Sequence, residues 1–416
     1  MHTDPGRQRL HRTGILAEIL LARGFDVVWW TSSFRHADKQ FRYTGTTCKH
    51  VGPRLKIHFL ATRPYNKNVS ISRILFNQDI AREFSRVAPF EEQPDVIFAA
   101  YPIPELADAA ALYAKQRSIP AVVDIRDLWP DIWLSAVPRY ARWVAQAAVV
   151  PFQQRYRRTL RRFDGICGTT NEMVEWGLSK AGRSRGPWDR AFPLAYLENR
   201  YTDSERRAAE GFWHELLGTR DETHLTLCFF GNMAMQRARI DVMIRAMRIL
   251  APNVRRRTRL ILCGSGEDFE AVRAMAADIP EVILPGWVTG PQIEALALRS
   301  HAGILPYPSG PDFIRSIPNK AIEYLAYGLP ILTSLKGPVS NLINDEGCGL
   351  VYRETDEVDL ARQISALATA PEQLSALSSN ARHVFQRYFL ASNVYGRLAD
   401  MLKEVCSATA LAKPSA

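Results

Sequence analysis

The chain has 416 residues, of which 47% are hydrophobic and 23% charged, so disorder is not the default and two or three domains with real cores are expected. Lysine plus arginine exceeds aspartate plus glutamate by 53 to 43, a formal charge of +10, which favours anionic partners such as nucleic acid, anionic lipid or a phosphorylated small molecule. The six cysteines lack CxxC spacing and no run reaches the ~18 to 20 apolar residues of a membrane span, which together with the missing signal-peptide core predicts a cytoplasmic protein with reduced cysteines.

The N-terminal half alternates β-branched runs with amphipathic stretches, the pattern of a parallel sheet covered by helices. Strands are predicted at Phe25–Ser32, Leu55–Thr62, Asp95–Ala100, Pro120–Ile125 and Phe163–Thr169. From Pro138 to Phe163 there are seven arginines and no acid, interleaved with aromatic and aliphatic residues, and Pro151 is expected to separate two helical halves. That composition fits a helix on an anionic membrane surface and equally a solvated face of a packed domain. Nucleic acid is disfavoured because no recognised binding module accompanies the charge.

A polar segment, Leu194–Thr223, is expected to hold the domain boundary. A second alternating set follows, with strands at Leu225–Gly231, Arg259–Gly266, Val282–Val288, Ala302–Tyr307, Pro330–Ser334 and Gly349–Arg353. Two doubly wound α/β domains result, and such folds bind ligands at the carboxyl ends of their strands, which makes the cleft between them the expected active site. The common nucleotide fingerprints fail. The third glycine of a dinucleotide motif would fall on Phe269, and no GxxxxGK[ST] loop exists. No metal is expected, since the histidines show no ligand spacing.

The most informative stretch is RSIPNKAIEYLAYGLPILTS, Arg315–Ser334. Pro318 and Gly328 bracket a short helix whose N-terminus offers N–H groups and a positive dipole to phosphate. Lys320 and Glu323 share one face. A lysine at the phosphate end and a carboxylate one turn later suit a nucleoside diphosphate; a surface ion pair on an ordinary helix would show the same spacing.

With FFGNM (Phe229–Met233), LILCGSGE (Leu260–Glu267), LPGWV (Leu284–Val288) and ILPY (Ile304–Tyr307) in order before it, this stretch resembles retaining glycosyltransferases of family 4, which have the GT-B fold. Trp29–Arg42 and DIRDLWPD (Asp124–Asp131) resemble bacterial members that build O-antigen and capsule. The resemblance implies an α/β GT-B architecture of two Rossmann-like domains, 1–200 for the acceptor and 201–385 for the nucleotide-sugar. A C-terminal helix and tail, 386–416, would be placed to cross back to the first domain. It implies Glu323 on the donor ribose, Gly231, Asn232, Gly264, Gly266 and Asn319 near the nucleotide, and the Trp287 and Val288 backbone on the base. The first glutamate of the family falls on Arg315, and its diphosphate lysine falls on Ala238, leaving Arg237, Arg239 and Lys320 as substitutes. Gly6 sits where the family carries a phosphate loop. Arg126 and Asp127 replace a His-Asp pair, with Asp131 as an alternative carboxylate and Asp124 as a turn cap. Only Met1–Asp4 precede Pro5-Gly6, so the first strand of the family is expected to be missing.

The implied activity is transfer of a sugar from a nucleotide-sugar, UDP in the first instance, to a lipid-linked saccharide at the cytoplasmic membrane face, without a cofactor. Arg126, Asp127 and Lys320 carry the chemistry in that reading. A sugar-nucleotide epimerase or phosphorylase, or a nucleotide-binding protein with a lapsed site, would use the same architecture.

Overall fold

The computed structural model describes residues 12–36, 39–66, 70–101, 103–128, 131, 142–198, 201–220, 223–310 and 313–412. Gly6, with Pro5 and Arg7, lies outside them. The chain divides into two compact units: residues 1–193 together with 394–416, and residues 194–393. The last helix, Ala391–Ala412, begins in the second unit and belongs to the first from Val394 onward.

In the first unit the strands are β1 (Val27–Ser32), β2 (Phe34–Arg35), β3 (Gln40–Phe41), β4 (Thr47–Gly52), β5 (Leu55–Leu60), β6 (Ile97–Ala100), β7 (Ala121–Ile125) and β8 (Gly165–Gly168). They form two three-stranded sheets, β1-β5-β4 and β6-β7-β8, and a small β2-β3 pair. A single parallel sheet is the expectation; among the described residues the strands instead divide between two sheets, and β4 runs antiparallel to β5. Its sequence, TCKHVG, is polar and largely exposed, so an edge strand forms by backbone pairing with no apolar pattern to announce it. At the centre of the second sheet, β7 reads AVVDI and is buried throughout, as a strand covered on both faces requires. The first described element is the helix Arg12–Ala22.

The basic segment also departs from expectation. One helix runs unbroken from Arg142 to Leu160 through Pro151. A proline removes one internal hydrogen bond and kinks or breaks an isolated helix, at about 3 kcal/mol; here tertiary support outweighs that cost. Tyr156, Thr159 and Leu160 are buried on the side that packs inward.

The second unit holds one six-stranded parallel sheet of β9 (Leu225–Phe230), β10 (Thr258–Cys263), β11 (Val282–Gly286), β12 (Ala302–Leu305), β13 (Ile331–Thr333) and β14 (Gly349–Val351). Its strand order is β11-β10-β9-β12-β13-β14, which is 3-2-1-4-5-6 counted within the unit, the doubly wound dinucleotide order. The order reverses between β9 and β12. Trp213, fully buried, ties the helix Asp203–Leu217 to the helix Gly290–Arg299 by donating from its indole nitrogen to the Gln292 carbonyl at 2.7 Å. The helix Asp203–Leu217, with Thr202 and Glu205 forming its capping box, occupies half of the polar segment that carries no strand signal.

Candidate functional site

In a doubly wound sheet the strand-order reversal opens a crevice at the carboxyl ends of the two flanking strands. Here those ends are Gly231, just past β9, and Pro306-Tyr307, just past β12. Lys320 stands between them: its Nζ donates to the Tyr307 hydroxyl at 2.7 Å, and the space a Cβ on Gly231 would need is filled by the Lys320 side chain. Tyr307 is held by stacking on Phe313, with centroids 4.6 Å apart. Burial pushes the Tyr307 phenol well above its ordinary pKa; it stays protonated and keeps a hydrogen to donate.

Three loops converge on the same crevice. The Gly231 N–H donates to the Cys263 carbonyl at 2.9 Å, the Gly264 N–H to the Gly286 carbonyl at 2.7 Å, and the Met233 N–H to the Ser265 carbonyl at 3.0 Å. Asp268 braces the set by accepting from the Met235 N–H at 2.7 Å. Gly264 has φ +140, and a Cβ there would collide with the Gly231 carbonyl. Strain of this kind costs roughly 1–3 kcal/mol, so Gly264→Ala is expected to lower the melting temperature of this unit by at least ~3 °C in calorimetry. An unchanged transition would contradict the packing described.

The helix Asn319–Ala326 follows Pro318 in extended backbone, and no side chain caps that end. The Ala321 N–H turns back to the Pro318 carbonyl at 3.0 Å, and the positive end of the helix dipole lies at the Lys320 end, an arrangement that suits an anion. One turn on, Glu323 is only 2% exposed. A carboxylate is placed this deep, at the end of a parallel sheet, at a large desolvation cost, and a partner bearing hydroxyl donors would offset it. Asn232, Asn319, Arg237 and Arg315 are exposed, and Gly266 packs a hydrogen against Asn232 and the Met233 carbonyl. Trp287 projects with 72% of its surface exposed after the positive-φ Gly286, whereas Val288 is buried in the core. Arg239 is committed elsewhere: it makes a two-pronged pair with Asp241 at 2.9 and 2.8 Å, so of the arginine candidates for the diphosphate Arg237 keeps the more accessible head.

In the first unit, Asp124 is the last residue but one of β7 and is far more than a turn cap. It is fully buried, and Arg12 reaches it with Nε at 2.8 Å and a second nitrogen at 2.9 Å. Arg126 adds a 2.6 Å pair to the same carboxylate and donates to the Thr13 hydroxyl at 2.9 Å. Arg12 also donates to the Phe192 and Pro193 carbonyls at 2.6 and 2.9 Å. Burial works against the charge of Arg12, yet Asp124 outweighs it and raises the guanidinium pKa. Asp131 serves packing, accepting from the Trp176 indole at 2.9 Å and from Lys180 at 2.7 Å. Asp127 is half-buried and feels the charge of Arg73. Among the described residues no group of three His, Cys, Asp or Glu side chains is placed to hold a metal ion.

The model of the glycosyl transferases group 1 matches residues 224–370, and that of a glycosyl transferase 4-like domain matches residues 10–186. The chain is a GT-B glycosyltransferase. Solved structures agree on the fold: sucrose-phosphate synthase from Thermosynechococcus elongatus superposes with a TM-score of 0.67 at 15% identity, covering 95% of this chain and 93% of that one. The HepE protein of Anabaena, in complex with UDP and glucose, gives 0.59 at 13% identity over 84% and 86%. WaaG, a glycosyltransferase involved in lipopolysaccharide biosynthesis, gives 0.58 at 16% identity over 93% and 94%. No curated protein matches the sequence.

Within this glycosyltransferase, the second unit gathers Gly231, Gly264, Lys320 and the helix of Glu323 at one crevice. Sequence reasoning missed Tyr307 as the acceptor of the Lys320 hydrogen bond and Asp268 as the loop brace, and it read Arg12 not at all. A tyrosine directly after a buried strand at the reversal point was the available signal for Tyr307. Nothing local marks Arg12, which meets Asp124 across 112 residues.

Proposed function

We infer that this GT-B protein is a retaining glycosyltransferase of family 4 that takes its sugar from a UDP-sugar. The acceptor is a lipid-linked saccharide, and the work is cell-surface polysaccharide assembly of the O-antigen or capsule kind at the cytoplasmic membrane face, with the helix Arg142–Leu160 lying against anionic lipid. The observation that carries the reading is Lys320 at the strand-order reversal with buried Glu323 one turn behind it. In the proposed step Lys320, the positive end of its helix and Arg237 stabilise the charge that develops on the departing diphosphate, the largest electrostatic contribution available to such a transfer. Glu323 accepts from the ribose hydroxyls, and the backbone at Trp287 and Val288 reads the base. In the first unit Asp127, beside Arg126, orients the acceptor hydroxyl and takes its proton as the new glycosidic bond forms and the bond from the sugar to the diphosphate breaks. No side chain acts as a nucleophile.

The UDP in the HepE complex and the lipopolysaccharide role named for WaaG support the donor and acceptor classes. One feature favours a second reading: Arg315 stands, exposed, at the position of the family's first glutamate, so a nucleotide-binding protein with a lapsed active site is the competitor. Glu323→Ala is expected to weaken UDP binding about 10- to 100-fold, the loss of hydrogen bonds to a charged acceptor, with an unchanged melting curve. Unaltered affinity for UDP in calorimetric titration would remove Glu323 from the site.

A further inference from the structure

On the first unit, at the carboxyl end of the helix Arg142–Leu160, lies a cavity of about 670 Å³ lined by Lys115, Arg158, Arg161, Arg162, Asp164 and neighbouring backbone. A second, of about 280 Å³, adjoins it through the shared Arg158 and Arg162 and adds Arg155 and Asp108. The trough thus gathers five cations and two carboxylates. Asp108 is consumed by Arg162 at 2.6 Å, Arg155 at 3.4 Å and the Thr159 hydroxyl at 2.6 Å. Asp164 accepts from the Ala121 N–H at 2.8 Å. Arg161 donates to two backbone carbonyls, Ala181 and Gly182, at 2.7 and 3.1 Å, which leaves its charge uncompensated. Lys115 and Arg158 are exposed, and among the described residues neither makes an ion pair. Two open cations and a third with only neutral partners around a cavity of this size are the electrostatics of an anion site.

The position of the trough says which anion. Ser118, Ile119, Pro120 and Asp164 line it and precede β7 and β8, so it sits at the amino ends of the strands, opposite Asp124 and Arg126. The helix Arg142–Leu160 runs from the carboxyl edge of the sheet to this trough. Trp143, Val150 and Arg157 recur every seven residues and share its outward face with Arg158. Trp143 is 72% exposed and Val150 44%. An aromatic anchor and a cationic cavity thus mark the two ends of one exposed stripe, about 22 Å apart along the helix. A helix lying in the plane of a membrane needs this arrangement, with the ring at headgroup depth and the cations on phosphate. Such docking also brings the carboxyl edge of the sheet, where Arg126 and Asp127 stand, down to the membrane plane.

We propose that the trough of Lys115, Arg158 and Arg161 binds the phosphate of an anionic lipid headgroup and, with Trp143, docks the protein on the membrane; this rests on the membrane-facing part of the function proposed above. Each cation near an anionic surface is worth about fivefold in partitioning, so Lys115→Ala/Arg158→Ala is expected to lose about 30-fold in binding to phosphatidylcholine vesicles containing 30% phosphatidylglycerol. Arg256→Ala/Arg397→Ala, which removes two exposed cations elsewhere, is the charge-matched control and is expected to lose less than fivefold. Equal losses in the two doubles would mean diffuse attraction by net charge and would overturn the proposal, as would full binding by the trough variant. Inorganic phosphate and soluble glycerol phosphate form the second arm: tight binding of either, with vesicles ignored, assigns the cavity to a soluble anion and also overturns it. The melting curve of the trough variant checks the fold of the first unit and is expected to be unchanged. A wild-type protein that binds vesicles through the trough but no UDP sinks the transferase reading alone, whereas one that binds UDP but no vesicles sinks this one.

Discussion

Lys320→Ala is expected to lower kcat by about 10²- to 10³-fold while leaving the fold intact. The expectation follows from position. Lys320 reaches both strand ends at the reversal of order, lying against Gly231 and donating to the Tyr307 hydroxyl. A cation fixed there acts on charge that grows in the transition state, and removal of one such preorganised donor typically costs that much. Lys320→Arg separates charge from shape. Its planar fork differs in shape and donor geometry from the ammonium that lies against Gly231 and donates to Tyr307, so it is expected to recover little. Steady-state kinetics at saturating donor is the check, and a kcat within fivefold of wild type for Lys320→Ala would move the phosphate site away from this helix.

Asp124→Ala is expected to destabilise the first unit by about 3–5 kcal/mol, the cost of leaving a buried guanidinium without its partner. The pair is almost wholly inside: Arg12 and Asp124 side chains are 3% and 0% exposed. Arg12→Met/Asp124→Leu, which removes both charges, is expected to restore much of the loss in urea unfolding, since apolar replacements of buried pairs are often neutral. A loss below ~1 kcal/mol in Asp124→Ala would show that the network carries no stability. The same carboxylate sets an acid limb. Burial alone would push the Asp124 carboxyl up, but Arg12 and Arg126 pull it further down, and the net is below the usual 3.8. A carboxylate depressed in the folded state stabilises fully above its unfolded pKa, so this increment is lost as pH falls below about 4. Asp124→Asn should show a flatter stability profile across that acid range.

The second unit was largely legible from sequence because every signal there agreed. Continuous buried strands alternated with periodic helices, and Pro318 and Gly328 marked a helix that the structure places at Asn319–Ala326. The first unit was read less well, for identifiable reasons. The edge strand β4 buries nothing and so has no apolar period. Pro151 is a helix breaker by local preference, but the packing of Tyr156 and Leu160 holds the helix through it. At the site, the glycines and Lys320 were legible because their backbone demands show as residue types. Arg12 and Asp124 were not, because an ion pair between distant segments leaves no periodic trace; the arginine that mattered looked like one of many in a basic chain.

Incubating the purified protein with a panel of UDP- and GDP-sugars, with and without lipid-linked saccharide acceptor, tests the central claim most directly when nucleotide release and the anomeric configuration of the product are both followed. The account predicts UDP release that depends on acceptor and a new glycosidic bond with the donor's configuration retained. Release or epimerisation without acceptor, or nucleotide binding with no turnover on any donor, would contradict it.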